Sequence, residues 1–305
     1  RDAAFIQKLA SDQAGAGATW IDINAGTPVE REPDDLIWLV ETVQAAVDKP
    51  LCLDSANPAA LATALPYVKQ APLINSISGE QGRITGVLPL AAKAQGGVIA
   101  LAMDDKGIPT TCDARLAIVH RLVGLTREAG IPDEQVYVDP LVMTIGASGD
   151  AARIALATVR AVKAEYPNIH FTSGLSNVSF GLPARSLINR AFLTLMLEAG
   201  LDSAILDPLD RDLMEYIRII EQRDDSTPLA RLLLALHDAV AAVRDAGRRA
   251  TRGAGDGGRP IPASRAGRFG PEGGAPSGVA RDPGRFGGRN GVENGANVRF
   301  PVTFS

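Results

Sequence analysis

Polar side chains gather where apolar runs stop. Asp22 and Asn24, Asp54 and Ser55, Asn75 and Ser76, Asp104, Asp139, Ser176 and Asn177, and Asp207 each sit at or just past the end of a short aliphatic run. Carboxylates and amides grouped this way, with few cations beside them, accept hydrogen bonds from N–H donors, and the amides also donate. A matching ligand is neutral or weakly basic, with several N–H donors and ring acceptors. An aminopyrimidinone edge meets that description and an anionic phosphate does not. Taken singly, each residue has a plain structural use, because Asp, Asn and Ser cap helix N-termini. As a set they fit that use less well. Asn75-Ser76 and Asp139-Pro140 end their runs abruptly, and Asn57-Pro58 can cap the helix after Asp54 without its help.

The elements that must position these residues are short β-branched or aliphatic runs alternating with stretches of helical period, the pattern of βα units around a parallel sheet. The spacing predicts strands at 19–23, 51–53, 72–75, 98–102, 136–138, 169–172 and 203–206, and helices that include 34–47, 113–129, 150–165 and 187–199. No Gly-x-Gly-x-x-Gly follows the first strand, which argues against a Rossmann sheet; Gly15-Ala16-Gly17 precedes a strand and reads as a helix end. The expected fold class is therefore α/β, a TIM (β/α)8-type barrel, with its site on the face where the strand ends converge. Such a barrel needs eight strands. Because the sequence opens in a helical segment, the first strand is expected to lie outside it, leaving a strained gap beside 19–23.

Composition narrows the remaining classes. The 305 residues carry a formal charge of −4, and Arg concentrates after Ala246, so the body is clearly acidic and a poor nucleic-acid binder. Gly, Arg and Pro dominate the end of the chain, with Gly-Arg-Phe-Gly at 267–270 and again at 284–287. Such a segment buries too little apolar surface to offset its ordering entropy. The expected organisation is a barrel domain over 1–246 and a disordered tail over 247–305. No apolar run is long enough for a membrane span and no secretory leader is evident, so a cytoplasmic protein is expected. Cys52 and Cys112 read as reduced thiols, and His120, His170 and His237 are too scattered to hold a metal. Gly174-Leu175-Ser176-Asn177 lacks the second Gly of a nucleophile elbow, and no Lys is read at a strand end for Schiff-base chemistry.

At Leu51-Cys52-Leu53-Asp54-Ser55, Ile74-Asn75-Ser76, Asp139-Pro140-Leu141 and the run from Gly174 to Arg185 (Gly-Leu-Ser-Asn-Val-Ser-Phe-Gly-Leu-Pro-Ala-Arg), the chain resembles the pterin-binding methyltransferases. These include the methyltetrahydrofolate:corrinoid/iron–sulfur protein methyltransferases and the folate domain of cobalamin-dependent methionine synthase. The resemblance spans roughly residues 1–223, and the Ser-Asn-Val-Ser run is its most specific part. It implies that Asp54, Asn75 and Asp139 hold a pterin, that Asn177 beside Ser176 hydrogen-bonds N5, and that Arg185 and Ile205 line the same site. Asn177 and Asp139 are then the catalytic pair, methyltetrahydrofolate is the substrate, and the chain works as a homodimer. No Asp-x-His-x-x-Gly motif is present, so the cobalamin or other corrinoid is expected on a partner, such as a corrinoid/iron–sulfur protein. The departures are the family's first-strand Gly-Glu-Arg-Ile-Asn motif, which is missing here, and the Gly-rich tail, which has no counterpart in the family. Dihydropteroate synthase, which shares the barrel, and a non-catalytic folate-binding scaffold are the alternatives.

Overall fold

The computed structural model describes residues 1–253 and 300–303. Helix α1 (Ala3–Gly15) comes first, its N-terminus capped by the Asp2 side chain, which accepts from the Phe5 N–H. Strands and helices then alternate: β1 (Ile21–Ile23), α2 (Glu32–Gln44), β2 (Leu51–Asp54), α3 (Pro58–Ala64), β3 (Leu73–Ser78), α4 (Gln81–Gly86), α5 (Leu88–Ala94) and β4 (Gly97–Leu101). After these come α6 (Cys112–Glu128), β5 (Val136–Asp139), α7 (Ala151–Glu165), β6 (His170–Phe171), α8 (Arg185–Ala199), β7 (Ser203–Leu206), α9 (Arg211–Gln222), α10 (Pro228–Gly253) and β8 (Phe300–Thr303).

Strands β1 to β6 pair in chain order and in parallel, and a parallel bridge from Gly174 to Ile205 continues the order to β7. Period-two alternation explains how short strands carry both a core and a site. One set of side chains, with Ile21, Ile23, Leu51, Leu53, Val98, Val136, Val138 and Phe171, joins the helices in a large buried cluster. The alternate set, Cys52, Leu73, Ile99 and Tyr137 with Trp20, Leu101 and Ile205, forms a second cluster of its own. These are inward positions of a parallel barrel, and the polar residues of the site continue the same rows toward the strand ends.

The eighth strand differs from expectation. β8 comes from the far end of the sequence and pairs antiparallel with β7, Ser203 opposite Thr303 and Leu206 opposite Phe300. It also lies beside β1, in the place where a gap is expected from the sequence. The physical reason is the free edge of β7: its N–H and C=O groups require partners, and an extended segment with Pro301 suits an edge position. The chain divides into two compact units, with the boundary at Val243 inside α10 and all eight strands in the first. α10 passes the expected domain boundary at Ala246 and runs to Gly253, carrying Gly247 in its interior. Apart from the end of α10 and β8, the expected tail lies outside the described residues. Among the described residues, no helix is long and apolar enough to cross a membrane.

Candidate active site

Register sets the spacing of the site. Asp54 stands opposite Asn75 across the β2–β3 pair, and Leu101 stands opposite Asp139 across β4–β5. Neighbouring strands lie about 4.8 Å apart, so Asn75 and Asp139 are roughly 10 Å apart across the sheet, and they are also staggered along it by two residues, since Asn75 pairs with Ile99 and Asp139 with Leu101. Asp54 and Asn75 are half-buried and Asp139 is buried.

None of these three caps a helix. Asn57 caps α3 by accepting from the Ala59 N–H, and α7 begins after Asp150, eleven residues beyond Asp139. Asp54 is instead oriented by Asn24, whose Nδ2 donates to Oδ2 at 2.9 Å. Other members of the polar ring do serve turns: Asp104 Oδ1 accepts from the Lys106 N–H at 2.9 Å, and Asp207 Oδ1 accepts from the Leu209 N–H at 2.9 Å. Lys106 stands in the loop after β4, beyond the strand end at Leu101. Its exposure leaves it without the apolar surroundings that would lower an amine's pKa for Schiff-base formation.

Asp139 has the most unusual environment. Its Oδ1 accepts from the Leu141 N–H at 2.7 Å, with Leu141 in the left-handed region at φ 61. Burial pushes its pKa from the ordinary 3.8 to about 6, opposed by the Leu141 N–H, the nearby Arg115 guanidinium and the Gly174 N–H. A carboxyl poised there accepts or gives a proton near neutral pH. Deeper in the barrel, burial and the adjacent Asp22 hold the Cys52 thiol well above its ordinary pKa, so Cys52 is an inert interior group.

The Gly174–Arg185 run forms a 3-10 turn (Leu175–Ser179) followed by α8. Asn177 is exposed, and a Cβ placed on Gly174 would lie 3.0 Å from Asn177 Nδ2. The absent side chain at Gly174 is what lets the Asn177 amide lie over the end of β6. Arg185 is tied to the same turn: Nε donates to Ser179 Oγ at 3.2 Å and Nη2 donates to the Ser176 carbonyl at 3.0 Å. Ile205 is half-buried on β7 and bridges to Gly174. The structure thus brings Asp139, Gly174, Asn177 and Ile205 together on one side, with Asn75 two strands and Asp54 three strands from Asp139. Ser176 and Arg185 belong to the turn that carries Asn177.

Sequence reasoning did not single out the Asn24–Asp54 bond, the space that Gly174 leaves for Asn177, or Arg115. Arg115 left one signal, since it shares the helical stripe of Ile118, Val119 and Leu122, all buried. Among the described residues, no group of three His, Cys, Asp or Glu side chains is placed to hold a metal ion.

Over residues 1–207 the sequence matches the family described as pterin binding enzyme. The chain belongs to the pterin-binding enzymes. It is 40% identical over 219 residues to the methylcorrinoid:tetrahydrofolate methyltransferase of Eubacterium limosum, covering 71% of this chain and 81% of that one. It is also 29% identical over 248 residues to the methionine synthase of Mycobacterium tuberculosis, spanning 74% of this chain and 21% of that protein. Among solved structures, the dihydropteroate synthase of Coxiella burnetii in complex with pteroic acid superposes with a TM-score of 0.54 at 16% identity, covering 73% of this chain and 87% of that one. The Yersinia pestis dihydropteroate synthase with a pterine-sulfa conjugate gives 0.52 at 18%, covering 66% and 81%. At these identities the likeness to the synthases shows the barrel fold. In this pterin-binding enzyme, Asp54 and Asp139 stand at the C-terminal ends of β2 and β5, the face on which barrel enzymes carry their chemistry, and Asn75 lies inside β3, three residues before its end.

Proposed function

We propose that this chain moves the N5-methyl group between methyltetrahydrofolate and the cobalt of a corrinoid carried by a separate protein. The observation that carries the reading is the 40% identity to a relative named methylcorrinoid:tetrahydrofolate methyltransferase, over most of both chains. The site chemistry supports it. Carboxylates at Asp54 and Asp139 and the Asn75 amide suit the amino and ring N–H groups of a pterin, and Ile205 offers an apolar wall beside them.

A methyl group on a tertiary amine transfers poorly, because the nitrogen departs as an amide-like anion unless it gains a proton or a strong hydrogen bond in the transition state. Asn177 is assigned to donate to N5. Its exposed amide at the mouth is free to adjust as charge develops, and one such donor contributes on the order of 3 kcal/mol in comparable electrostatic sites. Asp139 relays a proton through ordered water, which its pKa of about 6 suits. The partner's cobalt, as Co(I), supplies the nucleophile. Ser176 and Arg185 keep the Asn177 turn in place, and exposed Met143 and Phe180 on the loops after β5 and β6, with exposed Leu187 in the first turn of α8, offer apolar surface to a partner. On the family resemblance the reading extends to a cytoplasmic homodimer, with a corrinoid/iron–sulfur protein as the candidate partner.

The test mixes the protein with methyltetrahydrofolate and Co(I) cobalamin and follows the cobalt absorbance. Loss of the Co(I) band with appearance of methylcobalamin supports the reading. Pterin binding without any methyl transfer, to free cobalamin or to a corrinoid protein, replaces it with a non-catalytic folate-binding role. Formation of dihydropteroate from a pterin diphosphate and p-aminobenzoate replaces it with the synthase reaction that the fold likeness keeps as the second reading.

A further inference from the structure

Arg115 is 2% exposed, yet it stands in the first turn of α6 with its guanidinium pointed at the loop that follows Asp139. Its Nε donates to the Pro109 carbonyl at 2.9 Å, and its Nη1 donates to the Leu141 carbonyl at 2.9 Å and also to the Pro140 carbonyl. One side chain therefore clamps the loops after β4 and β5 together. A buried guanidinium is costly unless its donors are used, and it stays buried because these carbonyls are aimed at it. The clamp acts on the site through two residues. Holding the carbonyls of Pro140 and Leu141 fixes the left-handed backbone at Leu141, which in turn sets the N–H that Asp139 Oδ1 accepts.

We propose that Arg115 is a positioning residue for the pterin site: it locks the Pro140–Leu141 turn so that Asp139 presents its carboxylate to the ligand, and it sets a positive charge near that carboxylate. The inference rests on the pterin-site reading above. Among the described residues, the groups acting on Asp139 are the Leu141 N–H on its own loop, the Gly174 N–H after β6, and one charge, Arg115 on α6; its register partner on β4 is the uncharged Leu101.

The experiment measures methyltetrahydrofolate affinity by calorimetry from pH 5 to 8 for the wild type, Arg115→Met and Arg115→Lys, with unfolding curves for each. Arg115→Met is expected to bind about tenfold more weakly at pH 7, with the pH midpoint of binding raised by about one unit as the opposing charge is lost. Arg115→Lys keeps the charge without the fork of donors, so it is expected to retain the midpoint and lose affinity several-fold. If Arg115→Met does not fold, Arg115→Lys decides the matter. Wild-type affinity and midpoint in Arg115→Met, or wild-type affinity in Arg115→Lys, overturns the proposal. A wild type that binds no pterin at all overturns the site reading itself and this inference with it, whereas binding without transfer leaves this inference to be decided by the affinities.

Discussion

Replacing Asp139 with Asn tests the central electrostatic claim without any ligand. The folded-state pKa of about 6 lies above the ordinary 3.8, so the native protein holds this proton more tightly than the unfolded chain does. The stability the group contributes is complete below pH 3.8 and is lost as the pH rises to about 6. A difference of about two units at 1.36 kcal/mol each amounts to about 3 kcal/mol. Asn keeps an oxygen for the Leu141 N–H but cannot ionise, and the acceptor it withdraws from the Gly174 N–H costs about 1 kcal/mol at every pH. That offset does not alter the slope. Urea unfolding of both proteins between pH 4 and 7.5 should therefore show Asp139→Asn gaining on the wild type by about 2.5 kcal/mol as the pH rises, most of it below pH 6.5. A stability difference that stays flat across this range would refute the buried, poorly solvated carboxylate at the base of the argument.

Asn177→Ala is expected to lower the transfer rate by 10²-fold or more, of the order of one lost transition-state donor, while changing pterin affinity less than about threefold. Single-turnover rates and calorimetry check this, and affinity falling in step with rate would remove Asn177 from its role. Asp54→Ala and Asn75→Ala are expected to do the opposite, weakening pterin binding about tenfold or more with a smaller effect on the rate at saturation. Gly174→Ala would place a Cβ 3.0 Å from Asn177 Nδ2 while the backbone there, at φ −69, accepts alanine. It should slow transfer roughly tenfold with near-normal stability, and an unchanged rate would show that the amide does not need that space. Gly96→Ala would put its Cβ 1.9 Å from the Pro72 carbonyl, so a loss of roughly 3 kcal/mol or of soluble expression is expected, read from denaturant unfolding.

Much of this molecule is legible in its residues. Strands β1 to β7 show as short aliphatic runs because they lie between neighbouring strands and helices, and burial on both faces selects such residues. Asp54 and Asp139 show because each ends its strand without being needed as a helix cap, whereas Asn75, expected at a strand end, lies inside β3, which runs on to Ser78. The helix stripe through Arg115 is also visible, although not what the guanidinium holds. Tertiary structure alone decided the rest. The pairing of β8 with β7 joins segments about a hundred residues apart, and no local pattern in Phe300-Pro301-Val302-Thr303 names its partner or its antiparallel direction. The pKa of Asp139 is raised by burial and opposed by the Leu141 N–H, the Arg115 guanidinium on α6 and the Gly174 N–H after β6, of which only Leu141 is a sequence neighbour. Residue type and period are local properties that a sequence displays; solvent exclusion and the field at one carboxyl are sums over everything nearby in space, and they exist only once the chain has folded.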